Sequence, residues 1–249
     1  MKRDYSLDIH HLTRVEGHAN IQITVRNGEL VDARWAIVET PRFFEVMLKG
    51  MSAERVPFLT SRICGICSIS HSLASIRAVE RAMDIVPPVA AEKTRLLAMH
   101  GETLQSHALH LFFLIAPDFA GTSSVLPLMQ SHPDLVRAGL QLKELGNEIS
   151  TVTTGRCTHP VSLVVGGLSK APDRERLLHL RTMIQERKPA LETTCSFFHT
   201  LTIPAFSRET EFISLSNGST YPAIGGRLVS SDGVDREEND YLLMTNEYT

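Results

Sequence analysis

The sequence predicts an α+β fold that is mainly helical, with a β-hairpin at the N-terminus, a helical core and short strands near the C-terminus. Three observations carry this reading. Ile21, Ile23 and Val25 alternate with polar residues, Asn27-Gly28 supplies a two-residue turn, and Val31, Ala33, Trp35 and Ile37 alternate again. From Ser68 onward, long stretches repeat their apolar residues at helical rather than strand spacing. In the last part of the chain, short runs are cut by Asn217-Gly218, Gly225-Gly226 and Ser231-Asp232-Gly233.

After the hairpin, Pro41 opens a short helix, Arg42–Lys49, which Gly50 ends. Phe43 and Val46 share one of its faces and Glu45 points away from them. Ser68–Asp84 is helical, with Leu73, Ile76, Val79, Ala82 and Met83 as its stripe, and Val86-Pro87-Pro88 stops it. A longer helical stretch runs from about Val89 to Ile115, with a break or kink expected at Gly101, and ends at Ala116-Pro117-Asp118. His100, His107 and His110 fall on one face of it. With no carboxylate or cysteine interleaved, they read as hydrogen-bonding groups at a packing surface rather than a metal site. Pro133 to about Thr153 forms another amphipathic helix, closed by Gly155. Residues 172–202 form a helix or helix pair around Pro189, in which Cys195 reads as a small buried hydrophobe. The acidic segment Asp235–Asp240 and then Tyr241–Met244 follow the late strands. No repeat or linker divides the chain, so residues 1–249 read as one body.

Composition excludes several classes. An apolar content of 43% and a charged content of 21% are those of an ordinary globular chain, and 249 residues suffice for a core. A net charge of −3 gives no support for nucleic acid or an anionic membrane as partner. The start, Met1-Lys2-Arg3-Asp4-Tyr5, lacks the apolar core of a signal peptide, and no run approaches the roughly 20 apolar residues of a membrane span. Four cysteines suit a reducing compartment, so a cytoplasmic location is expected.

The chemistry centres on Arg62-Ile63-Cys64-Gly65-Ile66-Cys67-Ser68-Ile69-Ser70-His71. With the helix starting near residue 67, both sulfurs lie on one side of a loop-to-helix junction. There the free N–H groups favour a thiolate. His71 falls one turn beyond Cys67, placed to hydrogen-bond its sulfur. By themselves the two cysteines fit half a zinc site, a redox dithiol or two unrelated thiols. Cys157 and His159, in Gly155-Arg156-Cys157-Thr158-His159-Pro160, would complete a three-cysteine, one-histidine zinc site. Glu16 and Glu45 read, in isolation, as solvated carboxylates.

Together, three motifs resemble those of nickel–iron hydrogenase large subunits, particularly the cytoplasmic, cofactor-coupled branch. They are Arg14-Val15-Glu16-Gly17-His18, Arg42-Phe43-Phe44-Glu45 and the Arg62–His71 stretch. Ser106–Phe113 and the Gly155–Pro160 loop are similar too, although Thr154 stands where the family usually has a first glycine. The resemblance implies Cys64 as a terminal nickel ligand and Cys67 as a bridge between nickel and an iron that carries carbonyl and cyanide. It implies His71 beside them, Glu16 as the proton-transfer carboxylate and Glu45 as a ligand to a magnesium or similar hard cation. It further implies an iron–sulfur small subunit as electron partner and reversible oxidation of hydrogen as the reaction.

The resemblance covers only the N-terminal portion of such a subunit. The family's second Cys-x-x-Cys is absent, and Cys157 and Cys195 match neither its position nor its spacing. The chain alone is therefore expected to be inactive, the remaining thiolates coming from the rest of a longer subunit or from a separate C-terminal half. The alternative is a non-catalytic interaction or scaffold protein with structural zinc at Cys64 and Cys67. A chain stopping at Thr249 would leave apolar helix faces without partners, so poor solubility or oligomerisation of the isolated chain is expected, read by size-exclusion chromatography. A monodisperse monomer is the contrary result.

Overall fold

The computed structural model describes residues 3–244, which fall into two compact units divided between Ser52 and Ala53. No composition shift or linker in the sequence marks this boundary. What separates the units is that the N-terminal residues satisfy one another within their own sheet.

That sheet has three antiparallel strands in sequence order: β1 (Tyr5–Ile9), β2 (Ala19–Arg26) and β3 (Glu29–Ile37). The hairpin is the one the alternation predicts. Asn27 and Gly28 both take positive φ, 53° and 74°, as a tight turn between right-twisted strands requires. Ala19 and Val25 are buried. The outer strand β1 adds to the predicted pair, with Tyr5 opposite Val25 and Ile9 opposite Ile21. Helix α1 (Pro41–Leu48) follows, and Gly50 turns the chain away at φ 77°.

The second unit is helical. Its elements are α2 (Val56–Thr60), α3 (Ser68–Ala82), α4 (Val89–Leu109), α5 (Ala116–Phe119), α6 (Val125–Ser131) and α7 (Pro133–Thr154). A two-stranded hairpin, β4 (Leu163–Val164) and β5 (Gly167–Leu168), precedes α8 (Arg174–Glu186) and α9 (Lys188–His199). The late strands β6 (Ile213–Ser216), β7 (Arg227–Ser230) and β8 (Asp235–Glu237) form an antiparallel sheet, and α10 (Tyr241–Met244) ends the described chain. None of the described helices is long and apolar enough to cross a membrane.

Helix α4 is the axis of this unit. Ala91, Arg95, Ala98, Glu102, Gln105, Ala108 and, just beyond its end, Phe112 are buried at steps of three or four residues. The partner is α7, and small residues set how closely the two helices approach. A Cβ on Gly101 would lie 2.7 Å from Ile149 Cγ2, and one on Gly146 would lie 2.5 Å from the Gln105 backbone nitrogen. Gly139 leaves room for the Phe112 ring, which a Cβ would meet at 2.4 Å. Gly101 therefore marks close packing and not the expected kink. The irregularity comes later, at His110–Ile115, where a π-helical turn leads into Pro117. A proline that offers no N–H and crowds the carbonyl four residues back is accommodated by such a widened turn.

Two further expectations change. Helix α9 buries Ala190 and Thr194, with Phe197 and Phe198 partly buried against the core, so Cys195, one step round from Thr194, is exposed. His100, His107 and His110 are all exposed on α4 and the turn after it, and His100 stacks at 6.3 Å on Tyr221.

In an exposed helix, Gly→Ala is stabilising by roughly 1 kcal/mol. Gly146→Ala should instead destabilise by about 1–3 kcal/mol, because the added methyl meets backbone that cannot rotate away. Urea unfolding followed by circular dichroism measures the sign.

Candidate metal centre

The loop between α2 and α3 carries Cys64 and Cys67, both half-buried, with Cys67 at the N-cap of α3. The sulfurs of Cys64 and Cys67 and a ring nitrogen of His71 all lie within 4.8 Å of one another. Among the described residues this is the one group of three or more such donors within ligating reach. The two sulfurs are bonded to each other as a disulfide, and the Cys67 N–H donates to Cys64 Sγ at 3.2 Å. Thiolate ligation therefore requires reduction first.

Four buried or half-buried groups hold this loop. Glu102, on α4, is 5% exposed and accepts from the backbone N–H of Ile69 at 2.6 Å and of Ser70 at 2.9 Å, and also from the Ser70 hydroxyl. Cys67 provides no side-chain cap to its own helix, so a carboxylate from a neighbouring helix caps it instead. Gln105, one turn along α4, donates its amide to the Ile66 carbonyl at 2.8 Å. Lys143 on α7 donates to the other end of the same amide, and because an ammonium only donates, this fixes which end of Gln105 faces Ile66. Burial holds the Lys143 ammonium below its ordinary pKa, while Cys157 opposes that effect.

His159 closes the frame from the far side. Its backbone N–H donates to Ser68 Oγ at 2.9 Å, and its Nδ1–H to the Ser61 carbonyl at 2.9 Å. One residue thus holds the chain just before Cys64 and just after Cys67, and its own backbone sits at φ 55°, a strained value for a non-glycine. Cys157 instead opens onto a cavity of about 580 Å³ that Lys143, Glu144 and His179 also line. Neither Cys157 nor His159 joins the Cys64–Cys67–His71 group, so the three-cysteine zinc site does not form among the described residues.

Glu16 and Glu45 belong to the N-terminal unit. Glu16 lies in the exposed loop before β2, between Arg14 at φ 65° and Gly17 at φ 78°. The loop is anchored by Glu39, which accepts from the His18 ring at 2.8 Å and from the His18 backbone N–H at 2.9 Å. Those two bonds hold the Glu39 carboxyl below the usual carboxylate range. Glu45 is exposed on α1, 3.9 Å from Arg42.

Glu102 and Gln105 were not legible as site residues in the sequence, although a signal was present. They are polar residues on the inward three-four repeat of a helix whose other buried positions are Ala, Gly and Arg95. An uncompensated carboxylate there is costly, which implies a partner.

With this geometry in place, residues 42–134 match the nickel-dependent hydrogenase family and residues 6–40 match a HoxL-like family. The chain belongs to the nickel-dependent hydrogenase family. It is 43% identical over 171 residues to the sulfhydrogenase 2 subunit alpha of Pyrococcus furiosus, a match covering 69% of this chain and 42% of that protein. It is 30% identical over 246 residues to the sulfhydrogenase 1 subunit alpha of the same organism, covering 97% of this chain and 57% of that protein. Among solved structures, an NAD+-reducing nickel–iron hydrogenase in the H2-reduced state matches with a TM-score of 0.86 and 31% identity, over 95% of this chain and 57% of that one. A NiFeSe hydrogenase from Desulfovibrio vulgaris Hildenborough matches at TM-score 0.65 and 27% identity, over 79% and 45%. The chain thus spans about half the length of these relatives.

Alkylation of the denatured, metal-free chain checks the sulfur pairing directly. Two adducts are expected without reductant, at Cys157 and Cys195, and four after reduction. Four adducts without reductant would mean that Cys64 and Cys67 stay as thiols.

Proposed function

We propose that this chain contributes half of the thiolate set of a hydrogenase large subunit, in which Cys64 would hold nickel and Cys67 would hold nickel and iron. The observation that carries this reading is the convergence of two sulfurs and an imidazole within 4.8 Å on a loop fixed by buried hydrogen bonds, in a chain of this family. The donor set fits such a centre: soft sulfur suits nickel and iron, and the imidazole stands ready to hydrogen-bond a ligating sulfur. When bound, a nickel–iron pair with carbonyl and cyanide on iron supplies the site for reversible heterolytic cleavage of hydrogen.

The chain's own residues do the remainder. The loop frame holds the two sulfurs side by side, and His71 orients one of them. Glu16 takes and returns protons, a task suited to a carboxyl whose surroundings dry when the subunit is complete. Glu45 offers oxygen to a magnesium ion. Electrons pass to an iron–sulfur small subunit, and the complex works in the cytoplasm. Two sulfurs do not make a four-thiolate centre, and exposed Cys157 and Cys195 lie outside the donor group. The other two thiolates therefore come from sequence beyond this chain, either continuous with it or on a separate C-terminal half, and this chain by itself does not turn over hydrogen.

The test is co-production with a small subunit and a C-terminal half that carries a second Cys-x-x-Cys. Infrared bands of metal-bound carbonyl and cyanide, with nickel by elemental analysis, are expected, and Cys64→Ser should abolish both while leaving the circular dichroism of the chain unchanged. Stoichiometric zinc without nickel, together with unfolding of Cys64→Ser, would instead favour a scaffold protein with structural zinc.

A further inference from the structure

We infer that Glu102, with Gln105 one turn along the same helix, is the positioning residue of the cysteine pair. It sets the separation and direction of the Cys64 and Cys67 sulfurs by holding the N-terminus of α3 in place. The inference rests on the reading of Cys64 and Cys67 as metal ligands, and nothing in the family motifs points to either residue.

Cys67 is the last residue before α3, so its sulfur moves with the first turn of that helix. The first turn is gripped at two adjacent N–H groups, Ile69 and Ser70, by the two oxygens of one carboxylate. A two-point grip fixes rotation as well as distance, which a single hydrogen bond does not. The loop ahead is fixed at Ile66, one of the two residues between the cysteines, by Gln105. Both anchors leave α4 from the same buried face, three residues apart, so a rigid helix sets the spacing between the two grips. Both side chains are about 95% buried, at 5% and 4% exposure, which removes competition from water. A buried carboxylate kept only for packing is readily replaced by an apolar residue; one that accepts three bonds from the segment that carries the sulfurs holds that segment in place.

The test uses the full chain, reduced with a phosphine, and Ni2+ alone as probe, read by thiolate-to-nickel charge-transfer absorption. Glu102→Ala should weaken Ni2+ binding by about 10- to 100-fold, the range for removing a group that orients a ligand, and Gln105→Met should weaken it in the same direction. Glu102→Gln, which keeps an oxygen for one of the two N–H groups, should recover most of the loss. Leu142→Ala, in the core cluster around Phe112, lowers stability without touching the loop and should leave affinity unchanged. Unchanged affinity in both Glu102→Ala and Gln105→Met overturns the inference, and so does an equal loss in Leu142→Ala. Should Glu102→Ala fail to fold, Gln105→Met and Glu102→Gln decide it by the same criterion.

A second measurement does not need the metal. The equilibrium of the Cys64–Cys67 disulfide with dithiothreitol should shift toward the dithiol by about tenfold in Glu102→Ala, because sulfurs no longer held together close less readily. No shift overturns the positioning role. If Cys64→Ser binds Ni2+ as tightly as the unaltered chain, the ligand assignment fails, and the dithiothreitol equilibrium still decides the role of Glu102.

Discussion

Arg95 and Glu80 form an ion pair with both side chains almost wholly removed from water, at 1% and 5% exposure, and the rest of the helical unit is arranged around it. The guanidinium meets the carboxylate through two nitrogens, at 2.6 and 3.0 Å, and also reaches Glu92. The same guanidinium donates to the carbonyls of Val164 and Gly167, while Gly166 N–H donates to Glu80 at 2.7 Å. Two helices and the β4–β5 hairpin are thereby joined at one point. Charges desolvated to this degree are tolerable only when geometry and extra hydrogen bonds are both supplied, and removing one partner of such a pair typically costs about 3–5 kcal/mol. The pair is therefore a determinant of arrangement more than of net stability.

Its consequence is felt at the other end of α3. That helix is tied to α4 twice, near its C-terminus through Glu80 and at its N-terminus through Glu102, so it cannot slide or rotate against α4 independently. Helix α4 is in turn seated on α7 through Gly101 and Gly146, where the side chain of one helix meets backbone of the other. Close-packed contacts of this kind offer few alternative positions. The order of dependence runs from the glycines to the α4–α7 contact, from there to the direction in which Glu102 and Gln105 project, and from them to the cysteine loop.

How much of this was legible from sequence follows from which interactions are local. The β2–β3 hairpin, α3, α7 and the caps at Gly50 and Gly155 were readable because alternation, stripe and left-handed glycine are properties of neighbouring residues. β1 was not assigned as a separate strand, since its five residues are all exposed and only pairing with β2 makes them a strand. Gly101 was misjudged because a glycine within a helix has the same local signature whether the helix bends or a neighbour presses close. Cys195 was misjudged because its aromatic neighbours in sequence lie on another side of α9. The cysteine motif and its histidine were readable, and they do converge. The supporting residues Glu102, Gln105 and Ser61 were not, because each acts across 30 residues or more of sequence, or through a backbone atom that no motif records.

The most instructive difference lies at the N-terminus of α3. From the sequence, the free N–H groups of that helix are expected to stabilise a thiolate, and the cysteines do lie at its N-terminus. Two of those donors, however, are taken by a carboxylate. Ile69 and Ser70 give their N–H groups to Glu102, and the nearby N–H that reaches a cysteine sulfur is that of Cys67, to Cys64. A carboxylate seated on the positive end of a helix also offsets the partial charge that would favour a second anion there. The helix end therefore supplies the sulfurs with position rather than charge compensation. Two adjacent thiolates, if formed on reduction, would repel one another, and two routes relieve such repulsion: joining the sulfurs as a disulfide, or placing a cation between them. One preorganised geometry thus suits both the oxidised pair and the metal-bound pair proposed for it, and a metal bound there would have to contribute positive charge that the helix end already directs to Glu102.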